Sequence, residues 1–210
     1  MPLLLLLNLN MQLKNLAASE DSSIPQEFVI LLANLAASGE CARGDSTTNR
    51  MSDPEIHEKY LMEAFDEAFR SVEGNIGGPF GAVIVKDGIV IGKGVNRVTS
   101  RNDPTAHAEI EAIREAAKNI HDFNLSGAIL YSTCEPCPMC LSAIYWANIT
   151  GVYFCSTRHD AEAIGFRDNH IYEELNLLPD QRSIFFRKID HPIAVKLSRT
   201  WSEKKDKKPY

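Results

Sequence analysis

Two short motifs contain the residues in this sequence that are best suited to chemistry, His107-Ala-Glu109 and Cys137-Pro-Met-Cys140. A Cys-x-x-Cys pair at the start of a helix places both thiols on one side of the first turn. There the helix dipole favours the thiolate form that binds metal. With the imidazole of His107 as a third ligand, zinc keeps a fourth position open for water, as a catalytic site requires. The motifs therefore predict a catalytic zinc site held by His107, Cys137 and Cys140.

Glu109 is the candidate proton carrier of this site. It follows His107 by two residues, which is about 200° around a regular helix. Both side chains can therefore face one metal only if His107 lies at the helix N-terminus. Asp103-Pro104-Thr105 supplies such a helix start. Because a carboxylate beside a metal-bound water can accept a proton and pass it to a leaving group, we expect Glu109 to be catalytic and not a ligand.

A structural zinc site is the alternative interpretation, with Cys134 as its candidate fourth ligand. Structural zinc sites normally have four protein ligands, and a non-catalytic zinc-binding interaction domain would have no need of Glu109. Cys134 ends a predicted strand and is separated from Cys137 by a proline-containing turn. We therefore expect Cys134 to be a buried neighbour of the site, and Cys155, on the next predicted strand, to lie in the core.

The elements that must position these motifs are predicted from hydrophobic periodicity and turn residues. Ser52 with Glu55 and Pro54 is typical of a capped helix start, and Gly74 ends that helix. Asp87-Gly88 predicts a hairpin turn. The predicted strands are Phe80–Lys86, Ile89–Val95, Ala128–Thr133, Thr150–Ser156 and Ser183–Lys188, and the other predicted helices run from Asp103-Pro104 through Lys118, over Pro138–Ala147 and around Ala194–Lys204.

These elements predict an α/β fold. The strand–helix–strand unit across residues 128–156 implies parallel pairing with a right-handed crossover. The hairpin adds antiparallel pairing, so the sheet must be mixed. We expect a three-layer α-β-α fold around one mixed five-stranded sheet.

Residues 1–50 differ in pattern from the rest of the sequence. Asn15–Ser19 recurs as Asn34–Ser38, and the sequence around the two copies has no sustained periodicity. We expect a disordered N-terminal extension at 1–50, followed by a catalytic domain at 51–210. Met51 is a candidate for the natural initiator.

Composition and charge restrict the compartment and the partners. The 210 residues include 22 basic and 28 acidic side chains, for a net charge of −6. This argues against a nucleic-acid partner, because phosphate binding needs clustered Lys and Arg. Five cysteines, three of them within seven positions, indicate metal binding in a reducing compartment such as the cytoplasm. No run approaches the roughly 18 apolar residues of a membrane span, and the flanks of Leu3–Leu7 do not favour a signal peptide.

Several segments resemble the cytidine deaminase superfamily and, within it, the bacterial guanine deaminases. The paired motifs match the His-x-Glu and Pro-Cys-x-x-Cys signature of zinc deaminases, and the resemblance extends from about Leu61 to Tyr210. The segments that carry it are Gly77–Lys86, Asn102–Glu109, Cys134–Cys140, Ala143–Ala147, Ala163–Asp168 and the final Lys-Lys-Pro-Tyr. The resemblance implies hydrolysis of guanine to xanthine and ammonia with one Zn²⁺ per chain.

The resemblance also implies substrate-binding roles. Asn96 would hydrogen-bond the purine, and Phe80 and Trp146 would form apolar walls on either side of it. Asp168 would accept from an N–H edge of guanine, and Tyr210 would close the pocket from the same chain or from a partner. Purely structural roles also remain open for these residues. Asn96 could cap a turn, and Phe80 and Trp146 could be core aromatics. Asp168 could cap a helix, and Tyr210 could belong to a frayed terminus.

The same resemblance leaves the substrate and the assembly open. The alternatives are deamination of adenosine in tRNA and deamination of guanosine. Arg167 stands where an acidic residue is common in the family, which changes the local charge of the pocket. We expect a homodimer, with the C-terminal segment as a candidate for exchange between the two copies.

Overall fold

The structure, a computed structural model, describes residues 54–209. The expectations for residues 1–50, Met51, Ser52 and Tyr210 therefore lie outside the described residues. Its helices are α1 (Pro54–Glu73), α2 (Val98–Arg101), α3 (Ala108–Ile120), α4 (Pro138–Trp146), α5 (Arg158–Ala163), α6 (Asp168–Asn176) and α7 (Pro192–Glu203), and its strands are β1 (Gly81–Lys86), β2 (Ile89–Val95), β3 (Ile129–Cys134) and β4 (Gly151–Ser156). None of these helices combines the length and apolar character that crossing a membrane requires.

The sheet is mixed, as predicted, and its strand order is β2-β1-β3-β4. β1 pairs antiparallel with both β2 and β3, whereas β3 and β4 are parallel and enclose α4 in sequence. The predicted hairpin turn is formed by Asp87 and Gly88 with φ values of 52° and 77°. Both values are left-handed, as a two-residue turn between twisted strands requires.

The predicted fifth strand, Ser183–Lys188, is wrong, because the sheet of the described residues has four strands. This segment has no regular secondary structure, and Phe185 is 81% exposed. Its β-branched and aromatic residues favour a strand, but a strand also needs a neighbour with which to form its ladder. Local composition does not reveal whether such a neighbour exists.

Two separate cores confirm the three-layer arrangement. Ala82 and Ile84 of β1 pack on one face with buried residues of α3 and α4. Val83 and Val85 of the same strand pack on the other face with Tyr60 and other residues of α1. Because successive strand residues point to opposite faces, β1 is covered by helices on both sides.

Glycine brings α3 close to the sheet and thereby places its N-terminus. A Cβ atom on Gly94 would lie 2.0 Å from the carbonyl oxygen of Ala108, and one on Gly92 would lie 2.4 Å from that of Ala112. Both opposing atoms are backbone, so neither could move aside without moving α3. The absence of side chains at these β2 positions therefore determines how close the first turn of α3 lies to the sheet.

Candidate metal centre and active site

The three predicted metal ligands lie at the N-termini of two helices. His107 is the N-cap of α3 and has extended backbone angles, φ −71° and ψ 158°. Cys137 is the N-cap of α4, with φ −65° and ψ 168°, and Cys140 lies in the first turn of that helix. The imidazole therefore leaves along the axis of α3, as the two-residue spacing to Glu109 requires.

The distances within this group suit a tetrahedral metal ion. The ligand atoms of His107, Cys137 and Cys140 all lie within 4.8 Å of one another, and the Cys137 Sγ to His107 Nδ1 distance is 3.6 Å. Ligands at ordinary zinc–nitrogen and zinc–sulfur distances and a tetrahedral angle are separated by roughly 3.6 Å. Both thiols are buried, so the group fits zinc in donor type, spacing and seclusion from solvent.

Hydrogen bonding affects the two thiols of the metal group in opposite directions. The thiol of Cys140 donates to Cys137 and, outweighing burial, lowers the pKa of Cys137 to about 4. The same bond, together with burial, raises the pKa of Cys140, and the contact with Cys137 raises the pKa of His107. These directions favour the thiolate form of Cys137, and a cation bound here would have to displace the proton of Cys140.

Glu109 is held next to the metal ligands in the first turn of α3. Its side chain is buried, and burial raises its pKa to about 7. A carboxyl group whose pKa is near neutrality can accept and return a proton with little driving force in either direction. The group is therefore suited to general acid–base catalysis.

His107, Cys137 and Glu109 open onto the central cavity, which has a volume of about 260 Å³, whereas Cys140 is fully buried and does not line it. It is lined by Gly78, Phe80, Asn96, Val98, Thr99, Pro104, His107, Glu109, Cys134, Glu135, Cys137, Phe166 and Asp168. A larger groove of about 560 Å³ between α1, β2 and α3 is lined mainly by charged side chains, without His or Cys. The central cavity is therefore the candidate active site, and its volume, slightly below the roughly 300–1,000 Å³ of drug-sized sites, suits one heterocyclic base.

Comparison with known proteins identifies the family. Residues 54–156 match the cytidine and deoxycytidylate deaminase zinc-binding region. The guanine deaminase of Bacillus subtilis is 46% identical over 154 residues, which cover 73% of this chain and 99% of that protein. The chain belongs to the cytidine and deoxycytidylate deaminase family.

A solved structure agrees with the fold of this deaminase, and a second relative is similar in sequence over a shorter stretch. The X-ray structure of guanine deaminase from Bacillus subtilis has a TM-score of 0.71 at 45% identity and covers 73% of this chain and 98% of that one. A tRNA-specific adenosine deaminase from Haemophilus influenzae is 40% identical over 120 residues, or 57% of this chain and 66% of that protein. The similarity to the guanine deaminase is thus both longer and higher.

Three of the predicted substrate residues of the deaminase line the central cavity, namely Phe80, Asn96 and Asp168. Trp146 does not line the cavity. It lies at the end of α4 and is 64% exposed. Phe166 lines the cavity instead, with its ring centroid 4.6 Å from that of Phe80 in an edge-to-face arrangement. The signal for Phe166 was present in the Ile-Gly-Phe segment, two residues before Asp168.

The polar residues of the cavity are arranged to meet a ligand. Asn96 is buried, and its Oδ1 accepts from the backbone N–H groups of Gly78 and Val98 at 3.3 and 3.2 Å. Its Nδ2 donates to none of the described residues. Asp168 is the first residue of α6, whose N-cap Arg167 makes no side-chain capping bond, and burial raises the pKa of Asp168. Arg167 is exposed and does not line the cavity.

The two remaining cysteines of the described chain do not join the metal group. The Sγ of Cys134 donates to the Thr157 carbonyl at 3.6 Å, and burial raises its pKa to about 12, which keeps the thiol protonated. This geometry argues against a four-ligand structural site. Cys155 is exposed, so its predicted place in the core is wrong. It lies on β4, which is one of the two edge strands of the described sheet.

Proposed function

We propose that this deaminase hydrolyses guanine to xanthine and ammonia. The observation that carries the proposal is that two of the metal ligands, His107 and Cys137, line one small cavity together with Glu109, Asn96 and Asp168. The similarity to a guanine deaminase over nearly the whole length of that protein supports the same substrate.

His107, Cys137 and Cys140 would hold one zinc ion per chain. A zinc ion bound there lowers the pKa of water, so that a nucleophile is available near neutral pH. The role of the three side chains would be to hold the positive charge of the zinc ion beside the cavity.

Glu109 acts as the general base and the general acid of the reaction. It takes a proton from the attacking water as the new C2–O bond forms, and delivers it to the adjacent ring nitrogen. It then takes the remaining proton from the new C2 hydroxyl and delivers it to the exocyclic nitrogen, so that C2=O forms as the C2–N bond breaks and ammonia leaves. Guanine and water are consumed, and xanthine and ammonia are formed.

Substrate orientation follows from the other cavity residues. Asn96 donates from Nδ2 to a ring acceptor, and Asp168 accepts from an N–H of the pyrimidine ring. Phe80 and Phe166 supply the apolar walls. Tyr210, which lies outside the described residues, is proposed to close the entrance.

Rate comparison of four substrates tests this proposal. Ammonia release is measured side by side for guanine, guanosine, cytidine and an adenosine-containing tRNA stem-loop. We expect guanine to be the preferred substrate. A faster rate on the tRNA would support adenosine deamination instead, and a faster rate on guanosine would show that the pocket admits a ribose.

The proposal includes a homodimer in which the C-terminal segment reaches the partner. Helix α7 has no buried residue, and Ile193, Val195 and Leu197 are 58%, 73% and 70% exposed. Apolar side chains at this density usually find a partner surface. Light scattering on the purified protein tests the assembly, and a monomer would contradict it. We propose the cytoplasm as the enzyme's compartment, because metal-binding thiols such as Cys137 and Cys140 must stay reduced.

A further inference from the structure

Helix α6 carries Asp168 into the central cavity, although little apolar packing fixes the helix. It has no buried residue, and its N-cap, Arg167, makes no side-chain capping bond. A helix whose first residue must meet a substrate needs some other anchor. Two polar side chains provide it.

Tyr172 is the first of these anchors. Its hydroxyl donates to the carbonyl oxygen of Pro136 at 2.9 Å, and Pro136 immediately precedes the metal ligand Cys137. Tyr172 lies four residues after Asp168, so the two side chains share one face of the helix. The bond therefore ties the metal loop, residues 134–137, to the face of α6 that presents Asp168.

Arg158 is the second anchor and contacts both Tyr172 and Glu135. Its guanidinium lies 4.7 Å from the centroid of the Tyr172 ring, and its Nη1 donates to Glu135 Oε1 at 3.5 Å. Its backbone N–H donates to the other oxygen of Glu135 at 3.0 Å. Among the described residues, its buried Nε has no hydrogen-bond acceptor, so the ring and Glu135 are what hold the guanidinium.

We propose that Tyr172 and Arg158 are positioning residues that set the distance between the metal loop and Asp168. Neither side chain lines the central cavity. They act by holding α6 in place, so that a base gripped by Asp168 is presented to the metal side of the cavity. The inference rests on the proposed function, because it assigns the purpose of the network to the binding of a purine through Asp168.

The test compares Tyr172→Phe with Tyr60→Phe. Tyr172→Phe removes only the hydroxyl and keeps the ring beneath Arg158. Tyr60→Phe is the matched control, because its hydroxyl also donates to a backbone carbonyl, that of Gly88, at 2.8 Å. Both variants lose one hydrogen bond and a similar amount of thermal stability, but only the first loosens α6.

Tyr172→Phe is expected to raise KM for guanine by roughly two- to tenfold, the equivalent of one hydrogen bond, while kcat changes less than twofold and one zinc per chain is retained. Tyr60→Phe should leave KM unchanged. Equal KM values for the two variants, or loss of zinc from Tyr172→Phe, would overturn the proposal.

Amide hydrogen exchange tests the anchoring of α6 without an activity assay. The amides of residues 168–176 should exchange faster in Tyr172→Phe than in the parent, and at the parent rate in Tyr60→Phe. Unchanged exchange in Tyr172→Phe would overturn the anchoring role. If the parent released no ammonia from guanine, the proposed function would fail, and the exchange measurement would still decide whether Tyr172 anchors the helix.

Discussion

Glu109 combines burial, a raised pKa and a place beside three metal ligands, which separates it from the surface carboxylates. Replacing Glu109 with Ala should reduce turnover by at least about a hundredfold, because general acid–base help contributes roughly 10²–10⁴ per transfer. Zinc content, measured by metal analysis, should stay at one per chain. Glu115→Ala, further along α3 and outside the cavity, is the control and should turn over normally. Loss of zinc from Glu109→Ala would make this residue a ligand.

Cysteine replacements are expected to differ in whether zinc is lost. Cys137→Ser and Cys140→Ser should lose zinc and unfold at a lower temperature, because metal binding free energy contributes to folding. Cys134→Ser should retain one zinc per chain, because its Sγ faces the Thr157 carbonyl. Metal content and thermal unfolding of the three variants check this. Zinc-free Cys134→Ser would restore the four-ligand structural interpretation.

In the proposed function, Asp168 is the residue on which we expect substrate choice to depend. Asp168→Asn replaces an acceptor with a group that also presents a donor toward the N–H edge of guanine. A mismatched buried contact costs about 1–3 kcal/mol, or roughly ten- to a hundredfold in kcat/KM. Steady-state kinetics on guanine check this, with the exposed Asp180→Asn as the control. Equal kcat/KM values for the two variants would remove Asp168 from the site.

At the scale of elements, the close approach of α3 to β2 places the first turn that carries Glu109. Gly94→Ala would put a Cβ atom 2.0 Å from the carbonyl oxygen of Ala108, and such overpacking usually costs roughly 1–3 kcal/mol. We expect a lower free energy of unfolding and weaker zinc binding. Gly151→Ala on β4 is the control, because its Cβ would meet only the end of the Ile129 side chain at 3.0 Å. If both variants unfolded alike, the placement of α3 would not depend on this contact.

The elements that sequence reasoning predicts well are those whose signals are local. The Asp87-Gly88 turn, the helix start at His107 and the helix start at Cys137 depend on residues within a few positions of each other. The errors concern distant partners. A strand at Ser183–Lys188 needed a neighbour, and the burial of Cys155 depended on whether β4 lay inside the sheet or at its edge.

The lining of the central cavity was predicted only in part, for the same reason. Phe80, Asn96 and Asp168 lie on segments that the fold brings together around the metal group. The role of Trp146 was carried over by resemblance, and the structure places this side chain at the surface. Phe166 fills the wall because the turn between α5 and α6 directs it inward, which helical periodicity does not reveal.

At the scale of the whole molecule, the described residues already contain the two cores, the metal group and the central cavity. Deleting residues 1–50, so that the chain begins at Met51, should therefore leave guanine turnover within about twofold of the parent value and should not reduce solubility. Activity assays and gel filtration of the shortened protein check this. An insoluble product would indicate that Leu3–Leu7 or Val29–Leu32 contributes to the core.

The contact between β2 and α3 also bears on how this sequence can diverge. At Gly92 and Gly94 the opposing atoms are backbone carbonyl oxygens of Ala112 and Ala108, so no compensating side-chain change can make room for a larger residue. Neutral drift is therefore blocked at these positions, even though neither glycine touches a substrate. Among natural variants of this chain, the two glycines should be as invariant as the metal ligands, and a search for the active site based on invariance alone would wrongly include them.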